Sequence, residues 1–215
     1  MGKWGFFITV EGIEGSGKTT LAKSLFNELK NKGFPVILTW EPGGTEIGEK
    51  IRKVLLYSKD LSSWTELLLF LASRKEHVEK KILPALREGK IVISDRFDDS
   101  TIAYQCFGRG LNLRIVKRIN KIVTLGLKPN LTFLLDLEPE LSLKRLKRKD
   151  RIEREDLDFH KRVRQGYLAI AGRAKKRVVV IDGSLNKKKI LEIALLKVIE
   201  RLKSKKKFIS LIKSM

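Results

Sequence analysis

A glycine-rich segment near the amino terminus has the residue types and the spacing needed to bind phosphate groups. Residues 12–19 read Gly-Ile-Glu-Gly-Ser-Gly-Lys-Thr and fit the pattern G-x-x-x-x-G-K-[ST]. In such a loop the backbone N–H groups surround phosphate oxygens, while the start of the following helix favours an anion. Lys18 would reach the β- and γ-phosphates, and the Thr19 hydroxyl would be a ligand of Mg²⁺. The predicted triphosphate site consists of Gly12, Ile13, Glu14, Gly15, Ser16, Gly17, Lys18, Thr19 and Thr20.

A second candidate for metal and phosphate chemistry is the pair Asp95-Arg96, which follows the apolar run Lys90–Ser94. A carboxylate at the carboxyl end of a neighbouring parallel strand can hold Mg²⁺ or one of its waters opposite the glycine-rich loop. Taken alone, the pair would be read equally well as a helix cap beside a surface arginine. The presence of the glycine-rich loop favours the metal-site interpretation.

A third candidate is the basic segment 147–154, which reads Lys-Arg-Lys-Asp-Arg-Ile-Glu-Arg. Basic residues on a mobile segment could close over a triphosphate and neutralise charge during phosphoryl transfer. The alternative is a solvated helix end with no ligand, and that interpretation would prevail without the glycine-rich loop.

The elements that must position these residues alternate between strand and helix. Helical spacing of apolar residues after the glycine-rich loop predicts a helix over Lys18–Lys32. Strands separated by helices require crossover connections, and these favour a parallel sheet covered on both faces. The fold class is therefore α/β. The predicted strands are Gly5–Glu11, Pro35–Trp40, Lys90–Ser94, Leu131–Leu137 and Arg177–Ile181.

The composition bounds the class of protein. A chain of 215 residues with 42% apolar residues can bury a full core as one domain. One cysteine excludes an internal disulfide framework and a cysteine-based zinc site.

No apolar run approaches the roughly 18 residues of a membrane span. The first residues lack the apolar region of a signal peptide, so we expect a cytoplasmic protein.

The net charge of +21 is compatible with several polyanionic partners. Nucleic acid, anionic lipid and phosphorylated small molecules would each be attracted to such a charge. The alternative is a solvated basic surface without a specific partner. The glycine-rich loop indicates nucleotide binding but does not by itself separate kinases from other nucleotide-dependent proteins. The chain is too short for most motor modules, and it lacks the N-K-x-D motif that selects guanine.

Several further segments, in this order along the chain, resemble the bacterial thymidylate kinases. The resemblance covers about residues 5–202. EPGGT, DR-x-x-x-S-T-x-A-Y-Q and DRIE are specific to this family as a set, whereas the glycine-rich loop is not. The matching segments are FITVEGIEGSGKTT, EPGGT, LLLFLASR, SDRFDDSTIAYQ with GRGL, KPNLTFLLDL, DRIE, RVRQGYL and VVVIDG.

The resemblance implies transfer of the γ-phosphoryl group of ATP to dTMP, giving dTDP for dTTP synthesis, with Mg²⁺ bound beside ATP. It also implies a P-loop kinase fold with a five-stranded parallel sheet, a mobile lid over about residues 147–158, and a homodimer. We expect a single kinase domain over residues 1–203 and a basic tail over residues 204–215. Neither a specific nucleic acid partner nor a membrane span is expected.

The resemblance also implies roles for individual residues. Arg96 should hold the acceptor phosphate, and Arg151 should be the catalytic arginine of the lid, with Arg148 or Arg154 as substitutes. Arg145 should pack on the adenine, and Lys18 should act with Mg²⁺ held by Thr19 and Asp95. The resemblance assigns the dTMP contacts to Glu14, Pro42, Phe70, Arg74, Arg96, Ser100, Thr101, Tyr104 and Gln105.

Two residues depart from the family pattern, and two alternatives stay open. Trp40 stands where the family commonly has arginine, and Cys106 stands where glycine is common. One alternative is a kinase of another nucleotide or of a deoxynucleoside, in which Glu41 would be the base for a neutral hydroxyl. The other is a basic nucleic-acid-binding protein with a vestigial glycine-rich loop.

Overall fold

The computed structural model describes residues 4–146 and 150–203. The predicted lid residue Arg148 and the predicted basic tail lie outside the described residues. Within them, five parallel strands form one sheet, as predicted. The strands are β1 (Phe6–Glu11), β2 (Val36–Trp40), β3 (Ile91–Asp95), β4 (Leu131–Asp136) and β5 (Val178–Asp182).

The strand order β2-β3-β1-β4-β5 places β1 at the centre of the sheet. In the register of the sheet, Val10 of β1 lies beside Asp95 of β3, and Asp95 lies beside Trp40 of β2. The carboxyl ends of the first three strands therefore meet at one edge of the sheet. The glycine-rich loop, which directly follows β1, starts at this same edge.

The helices cover both faces of the sheet, and the first of them begins at Lys18, where the apolar periodicity predicts it. The third helix continues through a π-helical turn, Val78–Ile82, into the fourth, and the fifth continues into a π-helical segment, Ile102–Gly108. The helices are α1 (Lys18–Asn31), α2 (Glu46–Tyr57), α3 (Ser63–His77), α4 (Leu83–Arg87), α5 (Asp98–Thr101), α6 (Leu113–Val123), α7 (Pro139–Lys144), α8 (Leu157–Arg173) and α9 (Lys187–Lys203).

The central strand β1 contributes side chains to both halves of the core because successive residues point to opposite faces of a sheet. Ile8 packs in a cluster with Leu25 of α1 and Val198 of α9. Phe7 packs on the opposite face, in a cluster with Ile82 of the π-helical turn. Burial of β1 on both faces holds the start of the glycine-rich loop in a fixed position.

Every helix in residues 4–146 and 150–203 is too short or too polar to cross a membrane.

Candidate active site

A cavity of about 1280 Å³ opens at the carboxyl ends of β1, β2 and β3. It brings together nearly all the residues that the sequence analysis predicts for the site. Gly12, Ile13 and Ser16 belong to the same loop without forming the cavity wall, and Arg151 also lies off the wall. The predicted residues that line the cavity are Glu14, Gly15, Gly17, Lys18, Thr19, Thr20, Pro42, Phe70, Arg74, Asp95, Arg96, Ser100, Thr101, Tyr104, Gln105 and Arg145.

Lys18 is the first residue of α1, and its ammonium group folds back over the glycine-rich loop. Its Nζ donates a hydrogen bond of 2.8 Å to the carbonyl oxygen of Ile13. Burial lowers the pKa of Lys18 to about 8, with a further contribution from the nearby charge of Arg96. The cluster of cations therefore favours an incoming anion, and binding of one would raise the pKa of Lys18 again.

Thr19 and Asp95 face each other across the join between α1 and β3. The Thr19 hydroxyl donates to Asp95 Oδ2 at 2.5 Å. The other carboxylate oxygen, Oδ1, is buried and lacks a hydrogen-bond partner among the described residues. A hydroxyl and a carboxylate oxygen side by side are the donor types that Mg²⁺ prefers.

Arg96 is the central cation of the cavity, and its backbone is strained. Its φ of 72° lies in the left-handed region, which non-glycine residues rarely adopt and which often marks functional sites. Its Nη2 lies 2.6 Å from Glu14 Oε1, and its Nη1 donates to the Gly12 carbonyl and the Tyr167 hydroxyl, both at 3.1 Å. The guanidinium stacks over the ring of Tyr104, 5.0 Å from its centroid. These contacts hold the charge beside the glycine-rich loop.

Glu14 completes this part of the site by tying the loop to the helical side of the cavity. Its Oε1 accepts a hydrogen bond of 2.5 Å from the Tyr104 hydroxyl as well as the contact from Arg96. Burial opposes the charge, but the Arg96 guanidinium holds the pKa of Glu14 well below its usual range. His160 Nδ1 lies 3.6 Å from the other oxygen, Oε2. Glu14 is therefore a fixed anion at neutral pH.

Arg74 lies at the far side of the cavity, on α3, and is only 2% exposed. Its Nε donates to Glu41 Oε2 at 2.7 Å, and its Nη1 donates to Asn120 Oδ1 at 2.9 Å and also to Thr101. Its Nη2 donates to the carbonyl of Phe97 at 3.0 Å. These contacts fix the plane of the guanidinium. Phe70, one helical turn earlier, lines the same wall.

Glu41 follows β2 and is occupied on both oxygens. Besides the contact from Arg74, its Oε1 lies 3.0 Å from His77 Nδ1. Burial alone would raise the pKa of Glu41, but the Arg74 guanidinium and His77 lower it below the usual value. The Glu41–Pro42 peptide bond is cis. A carboxylate with a lowered pKa and no free oxygen is a weak proton acceptor.

Arg151 is not brought into the cavity. Its Nη1 lies 2.7 Å from Glu66 Oε2, and its Nε donates to the carbonyl of Leu55 at 3.0 Å. Its neighbours Asp150 and Glu153 do line the cavity. In this conformation the guanidinium of Arg151 therefore faces the body of the protein. Its catalytic role stays a prediction, and this geometry does not support it directly.

The sequence analysis missed the roles of Glu11, Tyr167 and Glu66, all of which support the site. Glu11 Oε1 accepts from the backbone N–H of Phe97 at 2.7 Å, and its Oε2 accepts from the Ser100 hydroxyl at 2.7 Å. Burial and the nearby Asp99 raise the pKa of Glu11 to about 8. The sequence carries a signal for two of them: Glu11 is a carboxylate at the end of an apolar strand, and Glu66 is a carboxylate inside the apolar helix α3.

The two departures from the family pattern have different surroundings. Trp40 lines the cavity, and its Nε1 donates to Glu49 Oε1 at 2.8 Å. It thus makes a polar contact to α2 with its indole. Cys106 packs beside the apolar cluster around Leu67 and Leu71, and burial raises the pKa of its thiol to about 11. This environment is that of a packing residue rather than of a reactive thiol.

Comparison with known proteins agrees with this geometry. The family model described as Thymidylate kinase matches residues 10–193. Thymidylate kinase of Sulfurihydrogenibium sp. (strain YO3AOP1) is 52% identical over 192 residues, which are 88% of this chain and 93% of the relative. That of Pelotomaculum thermopropionicum is 46% identical over 91% of this chain and 93% of the relative. The crystal structure of thymidylate kinase from Ehrlichia chaffeensis superposes with a TM-score of 0.75 at 37% identity, covering 91% of this chain and 99% of that one. The chain belongs to the thymidylate kinase family and has its α/β P-loop fold.

Proposed function

We propose that the protein transfers the γ-phosphoryl group of ATP to dTMP, giving ADP and dTDP. One observation carries this proposal: a single cavity holds a phosphate-binding loop at one end and an aromatic and arginine-lined pocket at the other, with Arg96 between them. Two nucleotides that meet at their phosphates would fill such a cavity. Its volume of about 1280 Å³ exceeds the roughly 300–1000 Å³ of an ordinary single-ligand pocket.

The donor end of the cavity suits ATP. The glycine-rich loop and the start of α1 supply backbone donors, and Lys18 adds a charge that can follow the transferring phosphoryl group. Arg145 lines this end, and its Nη1 donates to the carbonyl of Gly183 at 3.2 Å. This contact orients a flat guanidinium on which adenine can stack.

The acceptor end suits a thymine nucleotide. The ring of Phe70 offers a stacking surface for the base. The fixed guanidinium of Arg74 keeps one N–H, on Nη2, that would donate to a carbonyl oxygen such as thymine O4. Tyr104, held by Glu14, forms the floor where the sugar would lie. Thr101 and Gln105 line the same pocket and would contact the base. Pro42 and Ser100 complete the acceptor wall.

The residues present fit a magnesium ion held with ATP. The oxygen atoms that would hold the ion or its waters are Thr19 Oγ1 and Asp95 Oδ1, the latter without a hydrogen-bond partner in the described part of the chain. When bound, Mg²⁺ would neutralise phosphate charge and orient the donor. The hydrogen bond between the Thr19 hydroxyl and the Asp95 carboxylate supports the proposal that both residues serve one ion site.

The chain's own residues supply positioning and charge neutralisation rather than a strong base. The acceptor is already a phosphate anion, so no hydroxyl proton has to be removed. Arg96 would hold the acceptor phosphate in line with the donor, while Glu14 and Tyr167 keep its guanidinium in place. The second arginine would come from segment 147–154 once the lid closes over the site.

A deoxynucleoside acceptor is disfavoured by the state of Glu41. Such a reaction needs a base for a neutral hydroxyl, and Glu41 is the candidate at the end of β2. Both of its oxygens are engaged by Arg74 and His77, and its pKa is lowered. Thymidine should therefore be a far poorer acceptor than dTMP.

We also infer that two copies associate through α3 and α6, which pack side by side. Trp64 and Leu68 of α3 and Ile115 and Ile122 of α6 are large apolar side chains that remain exposed. Neighbouring apolar patches of this kind support a contact between copies in the cytoplasm, the expected compartment. Light scattering of the purified chain should give twice the monomer mass of 24.6 kDa. In the Leu68→Lys variant the measured mass should fall toward that of a single chain.

The test of the activity is ADP release by the purified chain with ATP and Mg²⁺. Each acceptor is offered alone: dTMP, dUMP, dCMP, AMP, UMP and thymidine. Turnover led by dTMP supports the proposal. Turnover led by thymidine would mean that Glu41 acts as a base. No turnover from folded protein that binds ATP would favour the nucleic-acid-binding alternative.

A further inference from the structure

Glu66 is a buried carboxylate on α3 that serves two sides of the site at once. It is 1% exposed, although it lies outside the glycine-rich loop and off the cavity wall. Its Oε1 accepts from Gln105 Nε2 at 3.0 Å and from Arg109 Nε at 3.2 Å. Its Oε2 accepts from Arg109 Nη2 at 3.0 Å and lies 2.7 Å from Arg151 Nη1. Two cations and an amide therefore converge on one carboxylate.

The contact to Gln105 determines which end of this amide is available to a ligand. Gln105 is 2% exposed and lines the acceptor end of the cavity. Because its Nε2 donates to Glu66, its Oε1 is the end left for the base. A carbonyl oxygen accepts hydrogen bonds only, so it suits the ring N–H of thymine or uracil and repels the bare ring nitrogen of cytosine.

The contacts to Arg151 and Arg109 fasten residues 150–155 of the predicted lid to the body of the protein. The backbone N–H and Nε of Arg151 donate to consecutive carbonyls of α2, those of Leu56 and Leu55. The second arm of Arg109, Nη1, lies 2.7 Å from Glu155 Oε1. Ile152, between these points, is buried. Residues 150–155 are therefore held at both ends by groups that meet on Glu66.

We propose that Glu66 is a positioning residue that orients the amide of Gln105 toward the base and anchors the lid through Arg151. This inference rests on the proposed function. Arg151 then stays on Glu66 during the reaction and does not reach the phosphates. The assignment of Arg151 as an anchor replaces its predicted catalytic role.

Base discrimination tests the first half of the proposal. Glu66→Gln removes the charge and leaves an amide that can donate or accept, so Gln105 is no longer held in one orientation. The ratio of kcat/KM for dTMP to that for dCMP should fall about tenfold, the value of one lost hydrogen-bond constraint. Glu46→Gln, a change in an exposed ion pair on α2, is the control and should keep the wild-type ratio.

A double-mutant cycle tests the second half. Glu66→Gln and Arg151→Met should each lower kcat with dTMP about tenfold, and the double variant should be no worse than either one, since both changes break the same anchor. Arg151→Lys should restore part of the loss. If Arg151 instead neutralises the transferring phosphoryl group, Arg151→Met should cost about 1000-fold and Glu66→Gln far less.

Two outcomes would overturn the proposal. One is an unchanged dTMP-to-dCMP ratio in folded Glu66→Gln, and the other is additive losses in the cycle. Glu66→Asp keeps the charge that Arg109 requires and can replace Glu66→Gln if the latter does not fold. Its shorter side chain cannot reach both Gln105 and Arg151, so its ratio should fall too. Wild-type protein without dTMP turnover would refute the proposed function itself, and is thus a distinguishable result.

Discussion

Replacement of Gly15 by alanine should disrupt the phosphate-binding loop. Gly15 has φ +72°, and a Cβ built there would lie 2.2 Å from the carbonyl oxygen of Ser142 on α7. Real Cβ atoms essentially never approach closer than 3.0 Å, so loop and helix would have to separate by about 0.8 Å. Ser142 cannot yield alone because its hydroxyl also donates to the carbonyl of Glu14.

The size of the effect follows from two contributions. The left-handed backbone costs an alanine about 1–2 kcal/mol, and forced separation of packed backbone adds about 1–3 kcal/mol. For a chain of this size the melting temperature should fall by on the order of 10 °C. A displacement near 1 Å in a phosphate-binding loop should also lower kcat/KM for ATP about 100-fold.

Gly33→Ala is the matched control. Gly33 has φ +79°, but nothing lies within 4 Å of a Cβ built there. It should lose about 1 kcal/mol, or 2–4 °C, and keep the wild-type kcat/KM for ATP. Thermal unfolding and steady-state ATP kinetics on both variants measure the contrast. The reasoning is refuted if Gly15→Ala loses no more stability than Gly33→Ala and keeps its ATP kinetics.

Three further outcomes are expected. Burial and the nearby Asp99 raise the pKa of Glu11 in the folded protein to about 8, above the usual range of a glutamate. Its bound proton therefore stabilises the fold at low pH, and this stability is lost as the pH rises toward 8. Between pH 5 and pH 8 the free energy of unfolding, measured with denaturant, should fall by on the order of 4 kcal/mol in the wild type and not in Glu11→Gln. The same change with pH in both proteins would show that the carboxyl is charged throughout. Arg74→Ala should raise the KM for dTMP much more than it raises the KM for ATP. Equal increases in both KM values would indicate a structural role. Trp40 lines the cavity, so dTMP should change the tryptophan fluorescence, and Trp40→Phe should remove that change.

Much of the fold could be predicted because the chain gives the same answer at several levels. The apolar run of β1, the glycines after it and the helical spacing from Lys18 onward each indicate strand, loop and helix in that order, and the structure has them there. Phe70 and Arg74 line the cavity together because residues four apart share a face of a helix. These are local patterns, and a single sequence carries them well.

Contacts between distant segments could not be predicted. Nothing local indicates that Glu66 meets Arg151, because α3 and the basic segment are brought together only by packing of the whole domain. The basic character of the segment around Arg151 suggested a free charge for phosphate. Glu66, which neutralises Arg151, lies 85 positions earlier in the chain, in a segment whose sequence pattern is that of an ordinary amphipathic helix.

The central place of β1 in the sheet determines how late in synthesis the catalytic loop can form. Its hydrogen-bonded neighbours are β3 and β4, and the Thr9 hydroxyl meets that of Thr132, 123 residues further on. Such non-local pairing slows folding because a long loop must close before any contact forms. On the ribosome, the apolar strand Phe6–Glu11 would therefore emerge before β3 and β4 and remain unpaired until they follow, as an exposed edge that a chaperone could bind.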